Sequence, residues 1–231
     1  MKKLIILFLL LSSITAYAEQ QLPVYQVDIV AFKDIKGLQN LPVGQWLLYQ
    51  PPDFKNVLVL NQQSGILSIE QNQKELYVPL PDDRFILNKD AARIQNSKLY
   101  SFITQQSWLQ QVLAPSQTQT VLINAGQNYS QNYSPASQTD GNPVWELTGT
   151  VKITNSLYQY LTLKVNFYLT EPGTDAAKNT AGSSVTSEYQ GLQMIEMKEN
   201  RRIKVDQLNY IDSPGFGLLI KVVKVPELKV V

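Results

Sequence analysis

Residues 144–153 (VWELTGTVKI) and 157–169 (LYQYLTLKVNFYL) carry the clearest structural pattern in the chain. In both segments the apolar side chains fall mainly on odd-numbered positions, which is the period of a strand with one buried face. A three-residue loop, Thr154-Asn155-Ser156, would place Ile153 opposite Leu157 and keep both apolar sets on one side of the sheet. The sequence therefore predicts an antiparallel hairpin.

Shorter segments with the same period precede this hairpin. Strands are predicted at residues 25–32, 46–49, 56–60, 100–108 and 120–125. In the fourth segment Tyr100, Phe102 and Trp108 share one parity, although a helix would also accommodate its apolar residues. The fifth segment should return as the neighbour of the fourth. Asn88, which is followed by good helix formers, predicts the N-cap of a short helix.

The C-terminal part predicts a second strand pair. A turn at Ser213-Pro214-Gly215 precedes residues 216–225, which are apolar on both sides of the pleat, as is typical of an interior strand. Before the turn the apolar side chains change from odd-numbered to even-numbered positions near Asp206-Gln207, which indicates a bulge.

These patterns together predict the fold class. We expect one α+β domain over residues 19–231, built mainly of antiparallel sheet, with one or two short helices packed on one side. Residues 126–143 and 171–190 lack the apolar side chains needed for a core of their own, and we predict polar loops there.

The N-terminus has the pattern of an export signal. Lys2 and Lys3 precede an apolar run that is too short to span a bilayer, and Ala16-Tyr17-Ala18 matches a cleavage site. We therefore predict a signal peptide at residues 1–18, cleaved near Ala18, and a mature chain that does not span the membrane.

Composition excludes several chemistries. The chain has no cysteine and no histidine, so it lacks thiolate ligands and the commonest general base. We predict no catalytic residue, no metal and no cofactor. Without Lys2 and Lys3, 18 Lys and Arg stand against 19 Asp and Glu, and no run of cations favours nucleic acid. A surface rich in Gln, Asn, Ser, Thr and Tyr suits sugar polymers or another protein, and also a merely neutral surface.

Several side chains are candidates for binding. An arginine of the Arg201-Arg202 pair could clamp a carboxylate, or the pair could lie in a hairpin turn and be bound by Glu199, Asp206 or Asp212. Tyr158, Tyr160 and Tyr168 share one face of the long strand and could carry a glycan, or could pack under a helix or loop. Trp46 and Trp108 are further candidates, whereas Trp145 has the parity of a core residue.

One enzymatic alternative remains open. Asp82-Asp83 could supply an acid of a glycan-cleaving enzyme. Glycosidases need two acids on opposite sides of a cleft, so a second acid such as Glu146 or Asp206 would have to lie nearby.

The C-terminal residues resemble the end of the CsiV family of exported envelope proteins, named for cell shape integrity. In that family an Arg-Arg pair precedes a strand carrying Leu-His-Tyr-Leu-Asp, then His-Pro and Phe-Gly. The matching residues here are Arg201-Arg202, Leu208, Tyr210, Asp212, Pro214 and Phe216-Gly217. Asn209 and Ser213 stand where histidines are usual, so any role of those histidines is absent.

The resemblance implies a periplasmic, non-catalytic, peptidoglycan-binding protein. It further implies a partner in wall synthesis, either a peptidoglycan synthase or its lipoprotein activator. An envelope scaffold or chaperone that binds only proteins is the alternative. The predicted binding residues are Arg201, Arg202, Tyr210, Asp212, Tyr158, Tyr160, Trp46 and Trp108.

Overall fold

A computed structural model describes residues 23–60, 77–133, 143–156, 160–173 and 191–226. The predicted signal peptide and Tyr158 lie outside these residues. The strands are β1 (Val24–Asp34), β2 (Leu47–Leu48), β3 (Val57–Val59), β4 (Tyr77–Pro79), β5 (Tyr100–Gln111), β6 (Thr120–Asn128), β7 (Trp145–Asn155), β8 (Tyr160–Pro172), β9 (Leu192–Lys204), β10 (Leu208–Ser213) and β11 (Phe216–Lys224). The helices are α1 (Ile35–Gln39), α2 (Asn88–Gln95) and α3 (Ser130–Tyr133).

The strands form two sheets that enclose the main core. Sheet A has the order β10-β11-β1-β5-β4, and sheet B has the order β2-β9-β8-β7-β6-β3. Every neighbouring pair is antiparallel except β3 and β6. The predicted fold class, α+β with mainly antiparallel strands, is confirmed. In the described parts of the chain, no helix is long and apolar enough to cross a membrane.

The main core is built from alternate side chains of the central strands, odd-numbered in β1 and in β6 to β9 and even-numbered in β11. Val27, Ile29 and Ala31 of β1 contribute from sheet A, and Leu163 and Phe167 of β8 contribute from sheet B. Each of these side chains is almost fully buried. The alternation seen in the sequence is thus the division between the inner and outer faces of each sheet.

The predicted hairpin forms, but its register was wrong. Ile153 pairs with Leu163 and Asn155 pairs with Leu161, so Ile153 does not lie opposite Leu157. The register differs by six residues, from Leu157 to Leu163. Because this is an even number, every apolar side chain stays on the face where the sequence pattern placed it.

Two predicted neighbours belong to different sheets. β6 does not pair with β5 but lies between β3 and β7 in sheet B. The parity change near Asp206 is not a bulge, because the chain leaves β9 in sheet B there and enters β10 in sheet A. Asp206 adopts a φ of 65° in this connection, and its N–H donates to the Val222 carbonyl at 2.8 Å.

A bulge does occur in β5. Ala31 pairs with Thr104 and Phe32 pairs with Phe102, so Ile103 is an extra residue. The bulge reverses the parity of β5, and Phe102 therefore does not share a face with Trp108, contrary to the prediction. Phe102 packs on the outer face with Phe32, whereas Trp108 lies in the main core.

Three local predictions need correction. Asn88 is the first residue of α2 and not its N-cap, which is Leu87. Trp145 is only half-buried and not a core residue. The polar segments begin later than predicted, since β6 continues to Asn128 and is followed by α3, and β8 continues to Pro172. Residues 134–142 and 174–190 lie outside the described residues.

The C-terminal strand pair forms as predicted. Ser213 pairs with Phe216, so Pro214 and Gly215 make the turn between β10 and β11. β11 lies between β10 and β1 and is largely buried on both faces.

The carboxylate of Asp28 holds α2 against the outer face of sheet A. Asp28 is fully buried in β1. Its Oδ2 accepts hydrogen bonds from the backbone N–H groups of Ile86 and, at 3.1 Å, Leu87, directly before α2. Its Oδ1 accepts from Ser107 Oγ at 2.5 Å and Gln26 Nε2 at 2.9 Å. These donors satisfy a buried charge that would otherwise be costly.

Replacing Asp28 by Asn should destabilise the fold. The side-chain NH₂ group of Asn would face N–H groups that now donate to the carboxylate. Buried N–H groups would then be unsatisfied, at a cost of about 2 kcal/mol or more. Urea unfolding at neutral pH measures the loss. Asp53→Asn is the control, because Asp53 forms only an exposed pair with Lys55. Equal unfolding midpoints for the two variants would contradict the anchoring role of Asp28.

Candidate functional site

A cleft of about 460 Å³ opens between the two sheets near α1 and the end of β8. Its lining residues are Lys33, Ile35, Leu38, Gln39, Trp46, Ser101, Glu171, Pro172 and Gln193. Apolar side chains are accompanied by a few hydrogen-bonding groups and charges, which is the usual composition of a binding pocket. Of the residues predicted from the sequence, Trp46 lies here.

An ion cluster closes the inner side of this cleft. Lys33 Nζ of β1 lies 2.5 Å from Glu146 Oε1 of β7 and 3.0 Å from Glu171 Oε1 of β8. Burial alone would lower the pKa of Lys33, but hydrogen bonds and charge from Glu146 and Glu171 outweigh it and raise that pKa. Lys33 therefore stays charged and joins the two sheets.

A bulge in β6 positions Glu146. Gly126 has a φ of 78°, and a Cβ at this position would clash with the Glu146 side chain. The next N–H, that of Gln127, donates to Glu146 Oε2 at 2.8 Å. This bulge explains why Glu146 is buried although its parity predicted a polar, exposed side.

The outer face of sheet B is partly covered by a strap, residues 49–56. β2 and β3 lie at opposite edges of sheet B, so the chain between them crosses the sheet. Phe54 of the strap packs on Tyr168 with ring centroids 6.1 Å apart. The Tyr168 hydroxyl donates to Glu196 Oε1 at 2.9 Å. Tyr168 thus packs under a loop, as the simpler of the two interpretations predicted.

The rest of this outer face carries two of the predicted residues. Tyr160 lies under Lys204, whose Nζ is 5.7 Å from the ring centroid. Arg202 is exposed opposite Thr162. Tyr158, the third tyrosine of the predicted aromatic face, lies outside the described residues.

Arg201 and Arg202 point to opposite sides of β9, so they do not form one site. Arg201 reaches β10, where its Nη2 donates to the Tyr210 carbonyl at 2.5 Å. The pair lies within β9 and not in a turn, which corrects that part of the prediction. In the described parts of the chain, Arg201 makes no ion pair with Glu199, Asp206 or Asp212.

Tyr210 and Asp212 lie together on the edge strand β10. The Tyr210 ring stacks on Phe32 with centroids 6.3 Å apart, and its hydroxyl donates to Asp212 Oδ1 at 2.8 Å. Burial, and then the Asp212 carboxylate, raise the pKa of Tyr210. Tyr210 therefore remains a neutral hydrogen-bond donor at physiological pH.

Trp108 has a core position. It is fully buried in β5, and its indole N–H donates to Gln110 Oε1 at 2.8 Å. A surface ligand cannot contact it there. The predicted binding residues therefore fall in four places: the cleft, the outer face of sheet B, the β10 edge and the core.

The acids of the enzymatic alternative are separated or already bound. Asp82 and Asp83 lie in an exposed turn. Among the described residues, the concavity beside Asp82 is lined by Pro79, Leu80 and Pro81 and by no second acid. Glu146, the first suggested partner, is bound by Lys33 and the Gln127 N–H.

Sequence reasoning missed a group of cations. Lys152, Lys164 and Lys198 lie on the outer face of sheet B together with Arg202 and Lys204. Lys198, Arg202 and Lys204 come from one stretch of β9, whereas Lys152 and Lys164 come from β7 and β8 and are joined to them only by strand pairing. Their shared even parity in neighbouring strands was the available signal.

Replacing Lys33 by Met should destabilise the protein at neutral pH. Glu146 and Glu171 would lose their partly buried counter-charge, at a cost of about 2 to 3 kcal/mol. Unfolding in urea at neutral pH measures the effect. Lys55→Met, which removes an exposed charge, should change stability by about 0.5 kcal/mol or less. A similar loss in both variants would refute the bridging role.

No curated protein matches the sequence. The solved structure of the Type IV competence pilus secretin PilQ from V. cholerae is similar over 98% of this chain and 66% of that chain, with 10% identity and a TM-score of 0.33. A similarity this weak supports no conclusion. The family model described as "Peptidoglycan-binding protein, CsiV" matches residues 1–225, and the chain therefore belongs to the CsiV family.

Proposed function

We propose that this protein binds peptidoglycan in the periplasm without catalysing a reaction on it. The observation that carries the proposal is the match of residues 1–225 to a family described as peptidoglycan-binding. The predicted export signal supports a periplasmic location, because the wall polymer lies outside the cytoplasm. We further propose that binding supports wall synthesis and cell shape through a peptidoglycan synthase or its lipoprotein activator.

The cleft beside Trp46 is our candidate for contact with a sugar of the glycan strand. Trp46 is half-buried, so part of its ring faces the cleft. Aromatic rings provide flat apolar faces, and Ser101, Gln39 and Gln193 provide uncharged hydrogen-bonding groups around it. This combination matches a sugar ring, which has C–H faces and a rim of hydroxyl groups.

The protein should sediment with purified sacculi, and Trp46→Leu should bind about tenfold more weakly, because leucine keeps the apolar contact but removes the flat ring. Trp145→Leu is the matched control, since Trp145 is also half-buried but does not line the cleft. Bound fraction against protein concentration gives the affinities. Wild-type protein that sediments no better than an unrelated protein would refute peptidoglycan binding.

The same sacculi test catalysis. We expect no soluble muropeptides after long incubation. Release that is lost in Asp82→Asn or Asp83→Asn would establish the glycosidase alternative and overturn the non-catalytic proposal.

One observation favours the second candidate, a scaffold that binds only proteins. Leu208 and Tyr210 are each 49% exposed on the same side of the edge strand β10. Exposed apolar side chains on a sheet edge are typical of protein contacts. Crosslinking in cells separates the two functions, because a pure scaffold would capture proteins but no wall fragments.

A further inference from the structure

Sheet B gathers cations from three segments of the sequence on one face. We call them the basic face: Lys152 of β7, Lys164 of β8, and Lys198, Arg202 and Lys204 of β9. Their even parity places them on the outer side of the sheet, opposite the core. All except Lys152, which is half-buried, are exposed.

Lys164 lies at the centre of the basic face. Lys152 is directly opposite it on β7, and Asn200 is opposite it on β9. Lys198 and Arg202 flank Asn200 and are therefore the diagonal neighbours of Lys164. Side chains directly opposite one another have Cβ atoms about 5 Å apart, and diagonal ones about 7 Å. Four positive charges thus lie within reach of one ligand group.

Carboxylates that could neutralise these charges are engaged elsewhere. Glu196, on the same side of β9, accepts a hydrogen bond from Tyr168. Asp53 of the strap pairs with Lys55 at 3.1 Å. In the parts of the chain that the structure describes, no carboxylate lies within ion-pair distance of the basic face.

This arrangement costs stability. Like charges directly opposite each other in a sheet repel, and Lys152 and Lys164 are such a pair. Thr150, Thr154 and Thr162 show that neutral residues are accommodated on the same face. A cluster of unneutralised cations where threonine also fits is explained by an anionic ligand.

We infer that the basic face binds the carboxylates of the peptidoglycan stem peptides. The inference rests on the proposed function, because these carboxylates are the anionic groups of the stem peptides. Lysine ammonium groups attract them as point charges, and the planar guanidinium of Arg202 can bind one in bidentate fashion. Tyr160 and Thr162 add neutral groups beside the charges.

The basic face and the cleft are separate sites. Lys164 and Pro172, which lines the cleft, are eight residues apart on β8, or about 27 Å along the strand. A polymer can contact both, with a sugar in the cleft and stem peptides on the basic face. Each contact then raises the effective concentration of the ligand at the other.

The test uses full-length mature protein and purified sacculi. Lys164→Gln with Lys198→Gln should lower the affinity at least about tenfold at low ionic strength, with a smaller difference at high salt because salt screens exposed charges. The matched control is Lys89→Gln with Lys98→Gln, which removes two exposed charges in and beside α2, on the opposite sheet. Thermal unfolding should show the first variant to be as stable as wild type or more stable, since repulsion is removed. Equal affinity of the first variant and the control would overturn the inference.

A second arm changes the ligand. Sacculi whose carboxylates are converted to neutral amides should bind wild type as weakly as native sacculi bind the double variant. Undiminished binding to amidated sacculi would overturn the inference and leave the proposed function intact, whereas failure of wild type on native sacculi would refute both. Poly-glutamate should compete better than inorganic polyphosphate at equal charge; if polyphosphate competes as well or better, the face recognises phosphate polymers or charge in general, and the carboxylate assignment is wrong.

Discussion

The buried carboxylate of Asp28 is the constraint on which sheet A depends. β1 runs through the middle of that sheet, with Val27 and Ile29 in the main core and Val30 against α2. A charge in such a strand is tolerated only when donors surround it, and four donors do so. Two of them are backbone N–H groups at the start of α2. The carboxylate needs donors and these N–H groups need an acceptor, so each supplies the hydrogen-bond partner of the other. The same strand ends with Lys33, which reaches sheet B. One strand therefore positions the helix, the core and the bridge between the sheets.

The sequence revealed which side of each strand is buried but not which strands are neighbours. The alternation of apolar and polar side chains is a local property. The predicted buried face of β7 and β8 is therefore correct although the predicted register of their hairpin was wrong by six residues. Pairing depends on where the chain changes sheets, which happens after β1, β3, β5 and β9. At Asp206 the change of sheet appears in the sequence as a switch of the apolar side chains from odd-numbered to even-numbered positions. A bulge would produce the same switch, so the sequence does not distinguish the two. The bulge that does occur, at Ile103, gives no signal in the sequence, because apolar residues occupy both sides of β5 there.

The candidate sites were harder to predict than the fold for a related reason. An aromatic residue is a candidate for binding from its type alone, which does not reveal its surroundings. The structure places Trp108 in the core, Trp46 in the cleft and Tyr168 under the strap. The short stretch of β9 that carries Lys198, Arg202 and Lys204 gives no sign in the sequence that Lys152 and Lys164 lie beside it. A sheet brings together residues that are distant in sequence, so a patch on its surface is visible only when strand order and register are known. The family resemblance was more informative about function, since it depends on spacing within one segment of the C-terminal block.

The outer faces of the two sheets differ in how they are covered, and this difference supports the basic face as the proposed binding surface. α2 covers part of sheet A through Ala91 and Ile94, and Asp28 holds it there. The strap covers sheet B near Tyr168, where Tyr49 of the strap packs in one apolar cluster with Leu192 and Met194 of β9. Lys164 lies further along β8, where the face is polar and charged. The strap follows the apolar end because burying lysines under a loop would cost their hydration. The segregation of apolar and cationic side chains along β8 and β9 thus determines both where the sheet is covered and where it can receive a ligand.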